Sequence, residues 1–295
     1  MKIAVTGAGG FIGRAVLRHL SPQHEIVAVD RSLAGLAGIE GDLRDRFVQE
    51  RLVATGCDAI VHLATVPGGA AEQEPALAWQ VNIDATRELI AMAVSSGRVP
   101  RFIFASSIAV FGDPLPELID DDTPVAPRLL YGAHKAMMET WIDTWTRRGA
   151  LRGLSLRLPG IVARPHGPSG MKSAFLSELF HALKARENIT LPVSPAATTL
   201  LMSVDRVAIN LAHALSCDAV GHVNLPALHV TMADLVTAVA DATGVATDLV
   251  HWHPDPALEA QFGALPPLMA QRAGALGFTH DGTLTALVQS ALAAD

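Results

Sequence analysis

The chain has 295 residues, half of them hydrophobic and 17% charged, with a formal net charge of −7, two cysteines and a single tyrosine. That length and apolar share suffice for a sizeable core, in one large domain or in a domain with a second lobe. The acidic balance argues against an extended nucleic-acid surface, two cysteines exclude a disulfide framework, and charged or turn residues interrupt every apolar stretch before about 18 residues, so no membrane span is expected.

A strand-like run from Lys2 to Thr6 leads into the turn Gly7-Ala8-Gly9-Gly10-Phe11-Ile12-Gly13 and a helical pattern over Phe11 to Leu20. With no signal-type apolar region before it, this start points to a cytoplasmic protein. Extended runs follow over Glu25 to Asp30, Asp58 to Leu63, Arg101 to Ser107 and Leu154 to Leu158, and helical patterns over Pro75 to Ser95 and Leu129 to Arg148. Ile3-Ala4-Val5, Ile26-Val27-Ala28-Val29, Ala59-Ile60-Val61 and Phe102-Ile103-Phe104 are near-continuous apolar runs, as parallel strands covered on both faces require. The rhythm predicts an α/β fold, a Rossmann-type doubly wound parallel sheet with helices on both faces. From Pro159 to Gly170 proline and glycine become dense and the alternation stops. The expected division is a Rossmann domain over 1–162 and a smaller lobe, mainly for substrate, over 163–295, with part of 200–226 returning to the sheet. That lobe shows helical patterns over Lys172 to Arg186, Val204 to Leu215 and Met232 to Thr243, and a short extended piece over His222 to Leu225.

The glycine turn directly follows a strand and opens a helix. There the backbone can approach a pyrophosphate while free N–H groups and the helix dipole face its charge. Asp30, at the end of the second strand, stands at about the spacing of a ribose-binding acid and disfavours a 2′-phosphate, which points to NAD over NADP. Arg31 complicates that preference, since it can stack on adenine or pair with a phosphate. Tyr131 precedes Lys135 by four residues, so a helix places phenol and ammonium on one face. A phenol with an ordinary pKa of about 10 needs roughly 4 kcal/mol of preference for its anion to work near neutrality, and a nearby lysine supplies part of it. Ser107 ends a strand at the carboxyl edge, where open α/β sheets place their ligands.

The order glycine turn, Asp30, Ser107, Tyr131, Lys135 resembles the extended, epimerase-like branch of the short-chain dehydrogenase/reductase superfamily. Gly41-Asp42-Leu43, His62-Leu63-Ala64-Thr65, Val81-Asn82-Ile83-Asp84 and Arg157-Leu158-Pro159-Gly160 are further landmarks of that resemblance. Within the branch, Phe104 to Gly112, Asp122-Thr123-Pro124, Leu156 to Pro159 and Val223 to Pro226 look most like D-erythronate dehydrogenases. The stretch after Arg157 departs from the segment usual in sugar-nucleotide epimerases. The resemblance implies an NAD-dependent oxidoreductase acting on a secondary hydroxyl of a small sugar acid or polyol. Ser107, Tyr131, Lys135 and Asn82 would be catalytic, Asn82 as an architectural or proton-relay residue. Gly7, Gly10, Phe11, Ile12, Gly13, Asp30, Arg31, Asp42, Leu43, Leu63, Ala64, Thr65, Asn82, Tyr131, Lys135 and Leu158 would bind NAD. Val66, Ser107, Tyr131, Gly160 and Arg164 would meet the substrate, in a pocket between the sheet edge and the second lobe. A homodimer formed partly by the helix of Tyr131 is also implied. The alternatives are an NAD-dependent nucleotide-sugar 4-epimerase and a non-catalytic dinucleotide-sensing protein.

Other features read as structural. The 12 histidines include no helical zinc spacing, and His251-Trp252-His253 lies on one short strand; no metal is expected. Asp120-Asp121-Asp122 reads as a solvated loop, and Met137, Met138, Trp141 and Trp145 as core or subunit packing. His134, one residue from Lys135, points elsewhere on the helix and receives no catalytic role.

Overall fold

A computed structural model describes residues 1–165 and 173–293; the expected helix start at Lys172 and His166 to Gly170 of the boundary segment lie outside them. In chain order the elements are β1 (Lys2–Thr6), α1 (Phe11–Leu20), β2 (Glu25–Asp30), β3 (Gly38–Glu40), α2 (Arg46–Ala54), β4 (Ala59–His62), α3 (Gly68–Gln73) and α4 (Pro75–Trp79). A π-helical turn, Gln80–Ala85, joins α4 to α5 (Thr86–Ser95), followed by β5 (Arg101–Ser107), a 3-10 turn (Ile108–Val110), α6 (Leu130–Arg147) and β6 (Arg152–Leu158). The remainder comprises β7 (Gly160–Ile161), α7 (Phe175–Ala185), β8 (Ile189–Leu191), β9 (Thr198–Met202), α8 (Val204–Ser216), β10 (Gly221–Asn224), β11 (Leu228–Thr231), α9 (Met232–Thr243), β12 (Val250–Trp252), α10 (Pro256–Phe262), α11 (Gln271–Ala275) and α12 (Leu284–Ala293).

The chain divides into two compact units. The first, Met1–Asp113 with Pro124–Leu158 and Ala208–Asn224, holds a seven-stranded parallel sheet in the order β10-β6-β5-β4-β1-β2-β3. This is the Rossmann arrangement with one added edge strand, and the order reverses between β1 and β4. Its apolar strands explain the parallel pairing: Ile3, Ala59, Phe102, Ile103 and Leu154 are wholly buried, as crossover helices on both faces demand. Residues of α2, α5 and α6, among them Leu52, Leu89, Ile90 and Ile142, pack on Ile60, Phe102 and Phe104. Where β10 returns, Arg101 secures the preceding chain: its guanidinium donates to the Ala214 and Ala219 carbonyls at 2.9 and 2.6 Å.

The second unit, Pro114–Thr123 with Pro159–Val207 and Leu225–Asp295, contains the sheet β11-β9-β7 and the parallel pair β12-β8. Its core gathers Phe175, Leu179, Phe180 and Leu183 of α7 with Leu235, Val236 and Val239 of α9 and Leu287 of α12.

Four local expectations are corrected or divided by the structure. The interval between Asp30 and Asp58, given no element by periodicity, contains β3 and α2; β3 has three residues, and α2 starts from Asp45, whose carboxylate accepts the Phe47 N–H at 2.9 Å. The single helical pattern over Pro75 to Ser95 is interrupted by the π turn. On α6 the apolar set splits: Met138 is buried, whereas Met137 and Trp141 are exposed. His251 is the one imidazole of its pair within β12, where it meets Asn188, because the strand ends at Trp252.

Candidate active site

The turn after β1 is shaped by what cannot fit there. Gly7 has φ +72°, and a Cβ on it would stand 2.8 Å from the Ala64 nitrogen. A Cβ on Gly13 would come within 2.1 Å of the Gly7 carbonyl oxygen, so the first turn of α1 lies directly on the loop. At Gly10 an added Cβ would meet only that carbonyl, at 3.2 Å, which leaves one side of the turn open. Gly10 is the N-cap of α1 and has no side chain to occupy the Phe11 and Ile12 amides, and the first turn carries no acid. These features fit a pyrophosphate. Asp30 accepts the Gly9 and Ser32 N–H groups at 2.9 and 3.1 Å, which fixes its carboxylate at the carboxyl end of β2. Arg31 is exposed beside it. Asp42 is clasped by Arg44, whose Nη2 lies 2.7 Å from Oδ2; that hydrogen bond holds the carboxyl below its ordinary range. Leu43 is buried next to it.

At the end of β4, His62 is wholly enclosed. Its Nδ1 lies 2.8 Å from Thr6 Oγ1 and its Nε2 3.0 Å from Thr86 Oγ1, while its ring stacks on Phe104. Burial, with the Lys135 charge adding to it, pulls the imidazole down to about 3, so it is neutral. Thr6 Oγ1 also accepts the Leu63 and Ala64 N–H groups, each at 3.3 Å. Asn82 lies in the π turn, a form that recurs at functional sites. Its Oδ1 accepts from Val66 N–H at 2.7 Å and Thr65 Oγ1 at 3.0 Å, and its Nδ2 donates to the Val66 carbonyl at 3.0 Å. This geometry is a clamp on the Thr65–Val66 loop.

Helix α6 starts at Leu130 without a side-chain cap from its own N-cap residue; Glu72 of α3 accepts the Leu130 N–H at 2.6 Å instead. Gly132 lets α6 press on the 3-10 turn after Ser107, for a Cβ there would be 1.9 Å from the Ala109 carbonyl oxygen. Ser107 Oγ accepts the Ala109 N–H at 3.1 Å, which leaves the hydroxyl hydrogen to be donated elsewhere. Ser107 pairs in register with Leu158 at the ends of β5 and β6. Tyr131 is half-buried, and Lys135, 3% exposed, points its Nζ to 5.4 Å from the Tyr131 ring centre and 4.6 Å from that of Phe104. Burial draws this ammonium down to about 7, with the Glu139 charge opposing the shift.

His134 is buried, with Nδ1 3.4 Å from Asn82 Nδ2 and its ring edge-on to Trp79. Glu72, His62 and Glu139 pack into this constellation, and the sequence reading gave none of them a role. Glu139 was discoverable, since it continues the four-residue series from Tyr131 through Lys135. In the second unit Gly160 lies in β7, and Ala163, at φ 56°, turns the chain before Arg164. Arg164 donates from Nε to the Ile161 carbonyl at 3.3 Å, and His181 Nε2 meets the Arg164 carbonyl at 2.5 Å. Among the described residues no cluster of His, Cys, Asp or Glu is arranged to hold a metal ion; Asp121 of the acidic loop accepts the Arg272 N–H at 2.7 Å.

Comparison with known proteins bears on the same turn and helix. A family model of the NAD-dependent epimerase/dehydratase family matches residues 3–224. The chain belongs to this family. It is an NAD-dependent epimerase/dehydratase-type enzyme on a Rossmann sheet, and the glycine turn, Asp30 and the free amides of α1 fit that cofactor. Two curated relatives are D-erythronate dehydrogenases. That of Cupriavidus necator is 32% identical, over 98% of this chain and 97% of its own; that of Haemophilus influenzae is 30% identical, over 98% of each. A solved structure from Agrobacterium tumefaciens, described as a nucleoside-diphosphate-sugar epimerase, superposes with TM-score 0.88 at 29% identity and covers 98% of this chain and 92% of its own. No helix among the described residues is long and apolar enough to cross a membrane.

Proposed function

We propose that this enzyme oxidises a secondary hydroxyl of a small sugar acid, D-erythronate or a close analogue, with Tyr131 as the acid/base. The substrate class rests on the near-complete alignment with the two D-erythronate dehydrogenases. The chemistry rests on one observation: a buried lysine, drawn down to about 7, stands against the face of the chain's single tyrosine.

NAD, when bound, supplies the nicotinamide carbon that accepts the hydride from the carbinol carbon. Ser107 donates its hydroxyl hydrogen to the reacting oxygen and holds it at the phenol. Tyr131, as phenolate, takes the alcohol proton, and Lys135 stabilises that anion electrostatically. Asn82 keeps the Thr65–Val66 loop in place through three hydrogen bonds, an architectural role. Gly7, Gly10, Phe11, Ile12 and Gly13 are assigned to the pyrophosphate, Asp30 and Arg31 to the adenosine ribose side, Asp42 and Leu43 to adenine, and Leu63, Ala64 and Leu158 to the rest of the cofactor. Val66, Gly160 and Arg164 are assigned to substrate, Arg164 to its carboxylate. By this reading residues 1–162 mainly bind NAD and 163–295 mainly substrate. The exposed Met137 and Trp141 of α6 support a homodimer through that helix, and the protein is assigned to the cytoplasm.

The likeness to the epimerase from Agrobacterium tumefaciens supports a second reading, a nucleotide-sugar 4-epimerase that keeps its NAD through the cycle. Purified enzyme with added NAD and a panel of four- to six-carbon sugar acids separates the two. NADH formation with one acid is the expected result. A flat panel, together with tightly retained NAD and turnover of a nucleotide sugar, would overturn the dehydrogenase reading.

A further inference from the structure

Beneath Lys135 lies a charged network with no assigned part in the reaction. Glu139, one helical turn beyond Lys135 on α6, is buried, and so is Arg157 on β6. The guanidinium grips the carboxylate as a fork, Nε to Oε1 at 3.0 Å and Nη2 to Oε2 at 2.8 Å. Ser106 Oγ donates to Oε1 at 2.5 Å. Arg157 Nη1 reaches Asn224 Oδ1 at 3.4 Å, and its plane lies 5.1 Å from the centre of Phe111. Adjacent residues of β5 therefore serve opposite sides of the strand, Ser106 facing this network and Ser107 the reacting oxygen.

The geometry points to Glu139, buried one helical turn beyond Lys135 and fixed there by Arg157, as a positioning residue that sets the ionisation of Tyr131 through the charge on Lys135. This deepens the reading of Tyr131 as acid/base and rests on it. A lysine drawn down to about 7 is divided between charged and neutral forms at neutral pH, so a modest change in local field alters its charge substantially. Glu139 is the anion that opposes its desolvation. The other titratable groups around it are differently disposed: His62 of β4 is neutral, His134 is lowered by burial and faces Glu72 of α3, and Asp143 further along α6 pairs with His222 of β10 at 3.6 Å. The fork from Arg157 fixes the carboxylate in place and offsets part of its field, leaving the remainder to hold a proton on Lys135.

Because the chain has one tyrosine, its tyrosinate absorbance in the near ultraviolet reports Tyr131 alone, without substrate or NAD. Glu139→Gln is expected to raise the phenol's titration midpoint by about one pH unit, because Lys135 loses its anionic partner and its charge. The basic limb of the pH–rate profile should move the same way, with NAD affinity unchanged. Since the single variant leaves a buried guanidinium unpaired, the double variant Glu139→Gln/Arg157→Met, which removes that guanidinium, provides the second arm and should shift the midpoint in the same direction. A midpoint unmoved or lowered in the folded variants overturns the inference. An upward shift in an enzyme that turns over no alcohol would instead sustain the network and refute the dehydrogenase reading.

Discussion

The turn between β1 and α1 and the first turns of α6 prepare their chemistry by opposite means. The turn is built almost entirely from backbone: glycines admit close approach, the first amides of α1 have no capping side chain, and the carboxylate of Asp30 braces the loop. Helix α6 works through side chains taken out of water, with Lys135, His134 and Glu139 all buried along it. Backbone dipoles carry no proton to lose, so apart from its Asp30 brace the turn is sensitive to volume rather than to pH. Buried charges are sensitive to both.

Replacing Tyr131 with Phe should break the side-chain half most completely. Turnover is expected to fall by about a thousandfold or more while the NAD dissociation constant changes less than about twofold, measured by steady-state kinetics and by fluorescence titration. The backbone half should break at Gly13→Ala, which forces a Cβ toward the Gly7 carbonyl. NAD affinity is expected to drop at least about tenfold, with the Tyr131 titration in the cofactor-free protein left where it was.

The pH dependence of stability sharpens the contrast. Lys135 and His62 are bases held below their ordinary 10.5 and 6.5, at about 7 and about 3. In each interval the unfolded chain binds a proton that the folded chain does not, so stability rises with pH from 3 to 6.5 and again from 7 to 10.5. Lys135→Met should flatten the upper rise, and His62→Asn the lower one, each by on the order of a few kcal/mol in denaturant titrations across the interval. Gly13→Ala should alter neither slope. A smaller effect is expected at Thr65→Val, which removes one of the hydrogen bonds to Asn82: about 1 kcal/mol of stability, with a drop in turnover of less than about tenfold. Arg44→Ala, at a solvent-facing ion pair, should change NAD affinity by less than about threefold.

Much of the sheet and the glycine turn were legible in the sequence because both depend on local pattern: unbroken apolar runs for buried parallel strands, and glycine between a strand and a helix. That Tyr131 and Lys135 share a helix face was legible through their spacing, and the roles proposed for them through the family resemblance. β3 was too short for periodicity to register, and the π turn escaped because its sequence is compatible with an ordinary helix. The partnerships of Glu139 with Arg157, of His62 with Thr6 and Thr86, and of Glu72 with the start of α6 join residues 18 to 58 positions apart. Such pairs follow from strand order and helix placement, which no local pattern contains.

The π turn at Gln80–Ala85 also has a genetic consequence. A π turn holds one residue more than a regular helix needs, and each residue of an α-helix advances the face by about 100°. Deleting one codon within it would yield a straighter, locally more regular helix that can no longer present both Asn82 to the Thr65–Val66 loop and Leu89 to the core. In this segment an in-frame deletion should be less tolerated than many substitutions.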